Sequence, residues 1–219
     1  MEISYMDIDC LMNMDKIEQY KQLFSEYRIA KIDKCKLVKN KAQSLGVGYL
    51  MSILLQNRGI DEKTVCYLEN EHGKPFLKDY TDIHFSVSHS DRIVAVIFDE
   101  KPCGIDVEKI KKYSQSVVNR IFCEQDKKLM EQAAESSYDE AAKLFAKIWT
   151  RKEAIGKLSG KGLDFTDELQ KNELNHEYLR LQGIYGVTYD AEADFVISAF
   201  SSNPDINGII PIKREFETI

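Results

Sequence analysis

The spacing of apolar positions changes period several times along the chain, and each change predicts an element. Residues 2–9 alternate weakly and read as an edge strand. Over 14–30 the apolar residues Ile17, Tyr20, Leu23, Phe24 and Tyr27 recur at helical spacing, which predicts one amphipathic helix. A second helix is expected over 37–57, with Leu45, Tyr49, Ile53 and Leu54 as its stripe and Asn57-Arg58-Gly59 as its stop. Strands are expected at 64–69, 83–88, 92–98 and 104–108, the middle pair as a hairpin, with Gly-Lys-Pro, Ser-Asp and Glu-Lys-Pro-Cys supplying the turns. Helical spacing returns over 115–134 and 138–158, and strands at 176–184, 185–190 and 194–200 close the pattern. Helices followed by strands, twice over, indicate an α+β chain of two similar halves, 1–103 and 104–219, meeting near 100–110. The segments starting at Asp91 and Asp194 both run apolar and lead to a proline about ten residues on, which points to the same repeat.

Composition removes several alternatives. With 219 residues, 43% hydrophobic and 30% charged, the chain is long enough to bury a core and is neither a disulfide-stapled miniprotein nor a disordered chain. A net charge of -6 argues against a general nucleic-acid binder or a protein coating an anionic membrane. The apolar stretches around 49–55 and 93–98 fall far short of the roughly 20 residues that a membrane helix needs. The first ten residues carry three acids and no apolar run, so no secretory signal is visible and a cytoplasmic location is expected. Five scattered cysteines without a CxxC pair predict reduced, mostly buried thiols instead of a disulfide framework or zinc site.

Three segments carry chemistry. In Gly104-Ile105-Asp106-Val107-Glu108 a strand points Ile105 and Val107 one way and Asp106 and Glu108 the other, with Cα atoms of the two acids about 6.6 Å apart. Two carboxylates held that close repel unless a cation lies between them, and Mg²⁺ is the usual oxygen-seeking choice. Taken alone, a solvated strand face is the simpler reading. In the helix over 145–158, Trp149, Glu153 and Lys157 form one stripe at i,i+4 spacing. Alone this is an exposed ion pair worth a few tenths of a kcal/mol with Trp149 in the core. Around it, six basic residues against two acids between 140 and 163, ending in Gly160-Lys161-Gly162, suit a polyphosphate. No GxxxxGK[ST] or GxGxxG is present, so an ordinary nucleotide fold is not indicated. In Phe85-Ser-Val-Ser-His-Ser90, Ser86 and Ser88 face away from the apolar positions and His89 ends the strand, which makes a satisfied histidine or a phosphate contact. Gly73-Lys74-Pro75 reads first as a turn and then as a lysine presented by one. Six basic residues against one acid over 28–41 fit a solvated helix end or an anion site.

The order of these motifs is more specific than any one of them: KxxKC at 31–35, GKP at 73–75, FSVSHS at 85–90, GIDVE at 104–108 and FxxxWTRKEAxxKxxGxGL at 145–163. In this order they resemble the 4′-phosphopantetheinyl transferases of the surfactin-synthetase-activating type, from about residue 26 to 165. The resemblance implies transfer of phosphopantetheine from coenzyme A to a serine of an apo acyl or peptidyl carrier protein. It implies a fold in which the two halves form an intramolecular pseudo-dimer. It makes Asp106, Glu108 and Glu153 the Mg²⁺ ligands and gives Glu153 and Lys157 catalytic roles, Lys157 on the pyrophosphate. Lys74, Ser88 and His89 match positions that contact the adenosine phosphates, and Lys31 and Lys34 match lysines that reach the 3′-phosphate. The base is left open between Glu153, a metal-bound water and Asp126, which stands where the family commonly has glutamate. Ala42-Gln43 replaces the Arg-Thr expected before the second helix's Leu-Gly, and no motif carries over after 165. The family's short members build their site between subunits, so a chain with two halves of its own is expected to be a monomer. The competing readings are a Mg²⁺-dependent pyrophosphate or coenzyme A hydrolase and a non-catalytic carrier-protein binder.

Overall fold

A computed structural model describes residues 1–161, 179–180 and 182–217. Strand β1 (Glu2–Asp7) leads to helices α1 (Met14–Lys21), α2 (Glu26–Lys34) and α3 (Val38–Gln56). A short hairpin of β2 (Tyr67–Glu69) and β3 (Pro75–Leu77) precedes β4 (His84–Ser90), β5 (Ile93–Asp99) and β6 (Cys103–Lys109). Helices α4 (Gln115–Ile121), α5 (Glu124–Ser136) and α6 (Tyr138–Ser159) follow, then β7 (Tyr185–Ala191), β8 (Phe195–Ser201) and β9 (Ile212–Lys213). The chain is α+β, as its periodicities predict.

Four departures from the expected elements have physical causes. The helix expected over 14–30 is two, because Ser25 caps α2: its Oγ accepts from Arg28 N–H, while its own N–H and hydroxyl donate to the buried Glu62 carboxylate at 2.8 and 2.9 Å. The helix expected over 115–134 is also two, because Cys123 and Asp126 form a reciprocal cap at the start of α5. The strand at 2–9 is not an edge: β1 pairs antiparallel with β5 and, at Ser4 and Tyr5, parallel with β9. The strand expected over 176–184 lies in part outside the described residues, and of the rest Leu179 and Arg180 are helical and 182–183 form a turn.

Two sheets carry the site, one ordered β4-β5-β1-β9 and the other β6-β8-β7. All seven positions of β5 are buried, which requires cover on both faces. Val94, Val96 and Phe98 pack with Leu45, Leu50 and Leu54 of α3, while Ile93, Ala95 and Ile97 pack with Ile105, Val107, Ile197 and Ala199 of the second sheet. At roughly 1.5–3 kcal/mol for each large apolar side chain buried, this second cluster holds the two sheets together. The hairpin between β4 and β5 turns at Asp91, whose φ of 50° lies in the left-handed region. Its carboxylate pairs with Lys109 at 2.6 Å and with Lys39, whose ammoniums hold its pKa down at about 2.

The five cysteines are free, as expected, but only Cys103 and Cys123 are buried and Cys10 and Cys66 are exposed. Among the described residues no helix is long and apolar enough to cross a membrane.

Candidate active site

Strands β4 and β6 lie side by side without a backbone ladder, and serine hydroxyls take its place. Ser86, Ser88 and Ser90 share one face of β4 by strand alternation. Their Oγ atoms accept from the backbone N–H groups of Ile105, Val107 and Lys109 at 3.2, 3.3 and 3.2 Å. Two of these hydroxyls also donate to the carboxylates of β6, Ser88 to Asp106 Oδ1 at 2.8 Å and Ser90 to Glu108 Oε2 at 2.8 Å. The same hydrogen bonds therefore join the sheets and aim the two acids.

Helix α6 lies across β6 with backbone against backbone. A Cβ on Gly104 would fall on the Ala154 carbonyl oxygen and 2.5 Å from the Leu158 nitrogen, so only glycine admits this approach. The approach brings Lys157 Nζ to Asp106 Oδ1 at 2.7 Å and to Ser88 Oγ at 2.9 Å. Glu153, one turn earlier, is half-buried. Burial and then the Asp106 carboxylate push its pKa up, Glu108 adds to this, and Lys157 opposes it. The C-terminal end of α6 is tied to the loop before β3: Lys74 Nζ donates to the Lys157 and Cys103 carbonyls at 2.6 and 3.0 Å, and Asn70 to the Gly160 carbonyl at 3.2 Å. Burial lowers the pKa of Lys74. His89 is exposed at its outer side, yet desolvation by the surrounding strands and then the Lys157 ammonium lower its pKa, favouring the neutral ring. A cavity of about 210 Å³ opens between Lys74, Phe85, Lys157 and Gly160.

Ser88, Asp106 and Lys157 thus meet at hydrogen-bond distance, with Glu108 two residues on along β6 and Glu153 one turn earlier on α6, and with His89 and Lys74 adjoining Lys157. Lys31 and Lys34 stand apart at the end of α2. Lys31 pairs with Glu69 at 2.8 Å, and Glu69 sits opposite Pro75 in the β2–β3 hairpin, next to Lys74. The basic cluster expected along 140–163 does not converge. Lys143 and Lys147 turn away to Asp190 of β7 at 2.7 and 3.1 Å, and Lys152 is 1% exposed, bonded to Asp126 at 2.8 Å. Charge counts ignore which face of a helix each side chain occupies, and these three lie off the Glu153–Lys157 stripe.

The Asp126–Lys152 pair removes one candidate base: Asp126 is 7% exposed, committed to Lys152 and to the cap of α5. It instead locks α5 onto α6 beside Glu153. Replacing Lys152 alone by Met strands a buried carboxylate, so unfolding in urea is expected to lose about 3–5 kcal/mol. Replacing Asp126 by Leu in the same chain should recover most of that loss.

Residues that motif reading missed are Ser90 and Gly104. The alternation of serines at 86, 88 and 90 was the available signal for the first, whereas nothing local to Gly104 reports the helix that crosses it.

The carboxylates also bear on metal binding. Asp106 Oδ2 is buried without a hydrogen-bond partner, and the Asp106 and Glu108 charges that add to burial in raising the Glu153 pKa are what a divalent cation offsets. The all-oxygen donor set suits Mg²⁺. Among the described residues no three His, Cys, Asp or Glu side chains are grouped closely enough to hold a metal ion as they stand, and Lys157 is the cation beside Asp106. The residues therefore fit a hard cation in kind and charge.

Residues 102–199, from the loop before β6 to β8, match the model of the 4′-phosphopantetheinyl transferase superfamily. The chain is 28% identical to the 4′-phosphopantetheinyl transferase Sfp of Bacillus subtilis over 199 residues, 86% of this chain and 88% of the relative. It is 29% identical to psf-1 of Bacillus pumilus over 86% of this chain and 78% of that protein, and 34% identical to gsp of Aneurinibacillus migulanus over 58% and 52%. The matched segment and these relatives make the chain similar to the 4′-phosphopantetheinyl transferase superfamily. Within it, the similarity over most of the chain is to the Sfp-type enzymes of the bacilli.

Proposed function

We propose that this enzyme transfers the 4′-phosphopantetheine arm of coenzyme A to a serine hydroxyl of an apo acyl or peptidyl carrier protein, releasing adenosine 3′,5′-bisphosphate. The observation that carries the proposal is the meeting of Asp106, Ser88 and Lys157 at hydrogen-bond distance beneath a Glu153 carboxyl of raised pKa. Asp106, Glu108 and Glu153 would hold Mg²⁺, which when bound polarises the pyrophosphate and neutralises developing charge.

The chain's own residues do the rest. Glu153, one turn before Lys157 on α6, accepts the proton of the carrier serine. The serine oxygen bonds to the β-phosphorus as the bridging P–O bond breaks, and the electron pair leaves on the bisphosphate. The Lys157 ammonium donates to the departing phosphate oxygens, with Ser88 beside it. Lys74 and Lys157 border the cavity in which the phosphates would lie, a neutral His89 would contact them from the end of β4, and Lys31 and Lys34 at the end of α2 would take the 3′-phosphate. Such residues position an anion without taking part in bond changes.

We infer further that the chain is an intramolecular pseudo-dimer of residues 1–103 and 104–219. In support, β1 and β6 each precede a set of helices and each flank the second strand of a later hairpin, in the orders β4-β5-β1 and β7-β8-β6. A site drawn from β4, β6 and α6 of one chain fits a monomer.

Chromatography of coenzyme A products with and without an apo carrier protein tests the reaction. Adenosine 3′,5′-bisphosphate is expected only when carrier is present, and Glu153→Gln is expected to slow its release by about 10²–10⁴-fold. Equal release without carrier would make the chain a hydrolase, and undiminished release by Glu153→Gln would remove the proposed base.

A further inference from the structure

The three serines of β4 make the same backbone contact but differ in what their protons do. Each Oγ accepts one N–H of β6 at nearly equal length. Ser86 reaches no carboxylate of β6, Ser88 reaches Asp106, and Ser90 reaches Glu108. Ser88 also receives Lys157, which places it in the machinery already described. Ser90 does not, and it stands one full repeat beyond, 8% exposed, against the acid at the outer end of the pair.

We infer that Ser90 is a positioning residue for divalent-cation binding, holding the Glu108 carboxylate in the orientation in which it ligates. The inference rests on the proposal that Asp106, Glu108 and Glu153 hold the cation. Glu108 needs such a partner more than Asp106 does. It lies near the end of β6 with a side chain 27% exposed, and a cationic partner, Lys111, is 3.7 Å away on a side chain 65% exposed. Exposed long side chains at that distance fix little. A short hydroxyl whose acceptor side is already held by Lys109 N–H has one free direction for its proton, and the Glu108 carboxylate occupies it. Partners that orient metal ligands typically account for 10–100-fold in metal affinity.

The ladder supplies its own control. Ser86→Ala and Ser90→Ala each delete one hydroxyl-to-backbone contact between the sheets, so a structural role makes them lose similar stability. Only Ser90→Ala frees a carboxylate of the ligand set. The experiment is Mn²⁺ binding followed by electron paramagnetic resonance of the free ion, with coenzyme A present, on the full chain. It is paired with thermal unfolding without metal. For Ser90→Ala the expected result is about tenfold or greater weakening of Mn²⁺ binding, with Ser86→Ala binding as the unsubstituted chain does. Ser90→Thr, which keeps the hydroxyl, should restore affinity. The half-saturating Mg²⁺ concentration for transfer should rise in Ser90→Ala by the same factor, while kcat at saturating Mg²⁺ stays within a few-fold. Equal Mn²⁺ affinity in Ser86→Ala and Ser90→Ala would overturn the inference. Absence of Mn²⁺ binding by the unsubstituted chain would instead overturn the metal assignment on which it rests.

Discussion

Asp106→Asn is expected to lower kcat/KM for phosphopantetheine transfer by about 10³-fold, equivalent to about 4 kcal/mol of lost transition-state stabilisation. The substitution keeps the shape of the side chain, so Ser88 and the β4–β6 contact can remain. It removes the charge that Lys157 meets at 2.7 Å and the buried oxygen that has no other partner. A second consequence separates this account from mere loss of folding. The Asp106 carboxylate is the largest charge acting to raise the Glu153 pKa, so removing it should let Glu153 ionise at lower pH. Carboxyl-carbon NMR of the metal-free protein should find the Glu153 titration shifted down in Asp106→Asn. An unshifted titration would mean that the two acids do not share one site.

Gly104→Ala is expected to be the most damaging glycine-to-alanine change among the described residues. The added carbon meets the backbone of α6 at Ala154 and Leu158, not a side chain that can turn aside. Relief requires α6 to lift from β6, and a backbone clash of this kind costs about 3 kcal/mol or more. For a chain of this length that lowers the melting temperature by roughly 6–12 °C. The same lift carries Glu153 and Lys157 away from Asp106, and a displacement of about 1 Å at a reacting group can cost about 10²-fold in rate. Activity measured well below the melting temperature should therefore fall even in the folded fraction. Wild-type turnover by a folded Gly104→Ala protein would show that helix and strand need not touch for the site to form.

What the sequence makes legible follows from how local each determinant is. Alternation alone places Asp106 and Glu108 on one face of a strand, and i,i+4 spacing alone places Glu153 and Lys157 on one stripe of a helix. The structure brings those two faces together. Features that depend on a distant partner are not readable this way. The break between α1 and α2 is set by Ser25, whose own partner Glu62 lies 37 residues away. The two-residue β9 finds β1 from the far end of the chain and turns an expected edge into an inner strand. The basic run along 140–163 illustrates the opposite error. Six cations close in sequence looked like one anion site, yet Lys143 and Lys147 meet Asp190 across the helix and Lys152 meets Asp126 inside the core. Of that run, Lys157 is the cation bonded to the Asp106–Ser88 cluster among the described residues, because it alone combines the stripe of Glu153 with the close approach that Gly104 permits.

This assembly is proposed to move phosphopantetheine to a carrier serine. Intact mass spectrometry of an apo carrier protein after incubation with the enzyme, coenzyme A and Mg²⁺ tests it most directly. A single phosphopantetheine adduct on the carrier is expected, formed by the unsubstituted chain and strongly reduced with Asp106→Asn. Cleavage of coenzyme A with the carrier mass unchanged would contradict it.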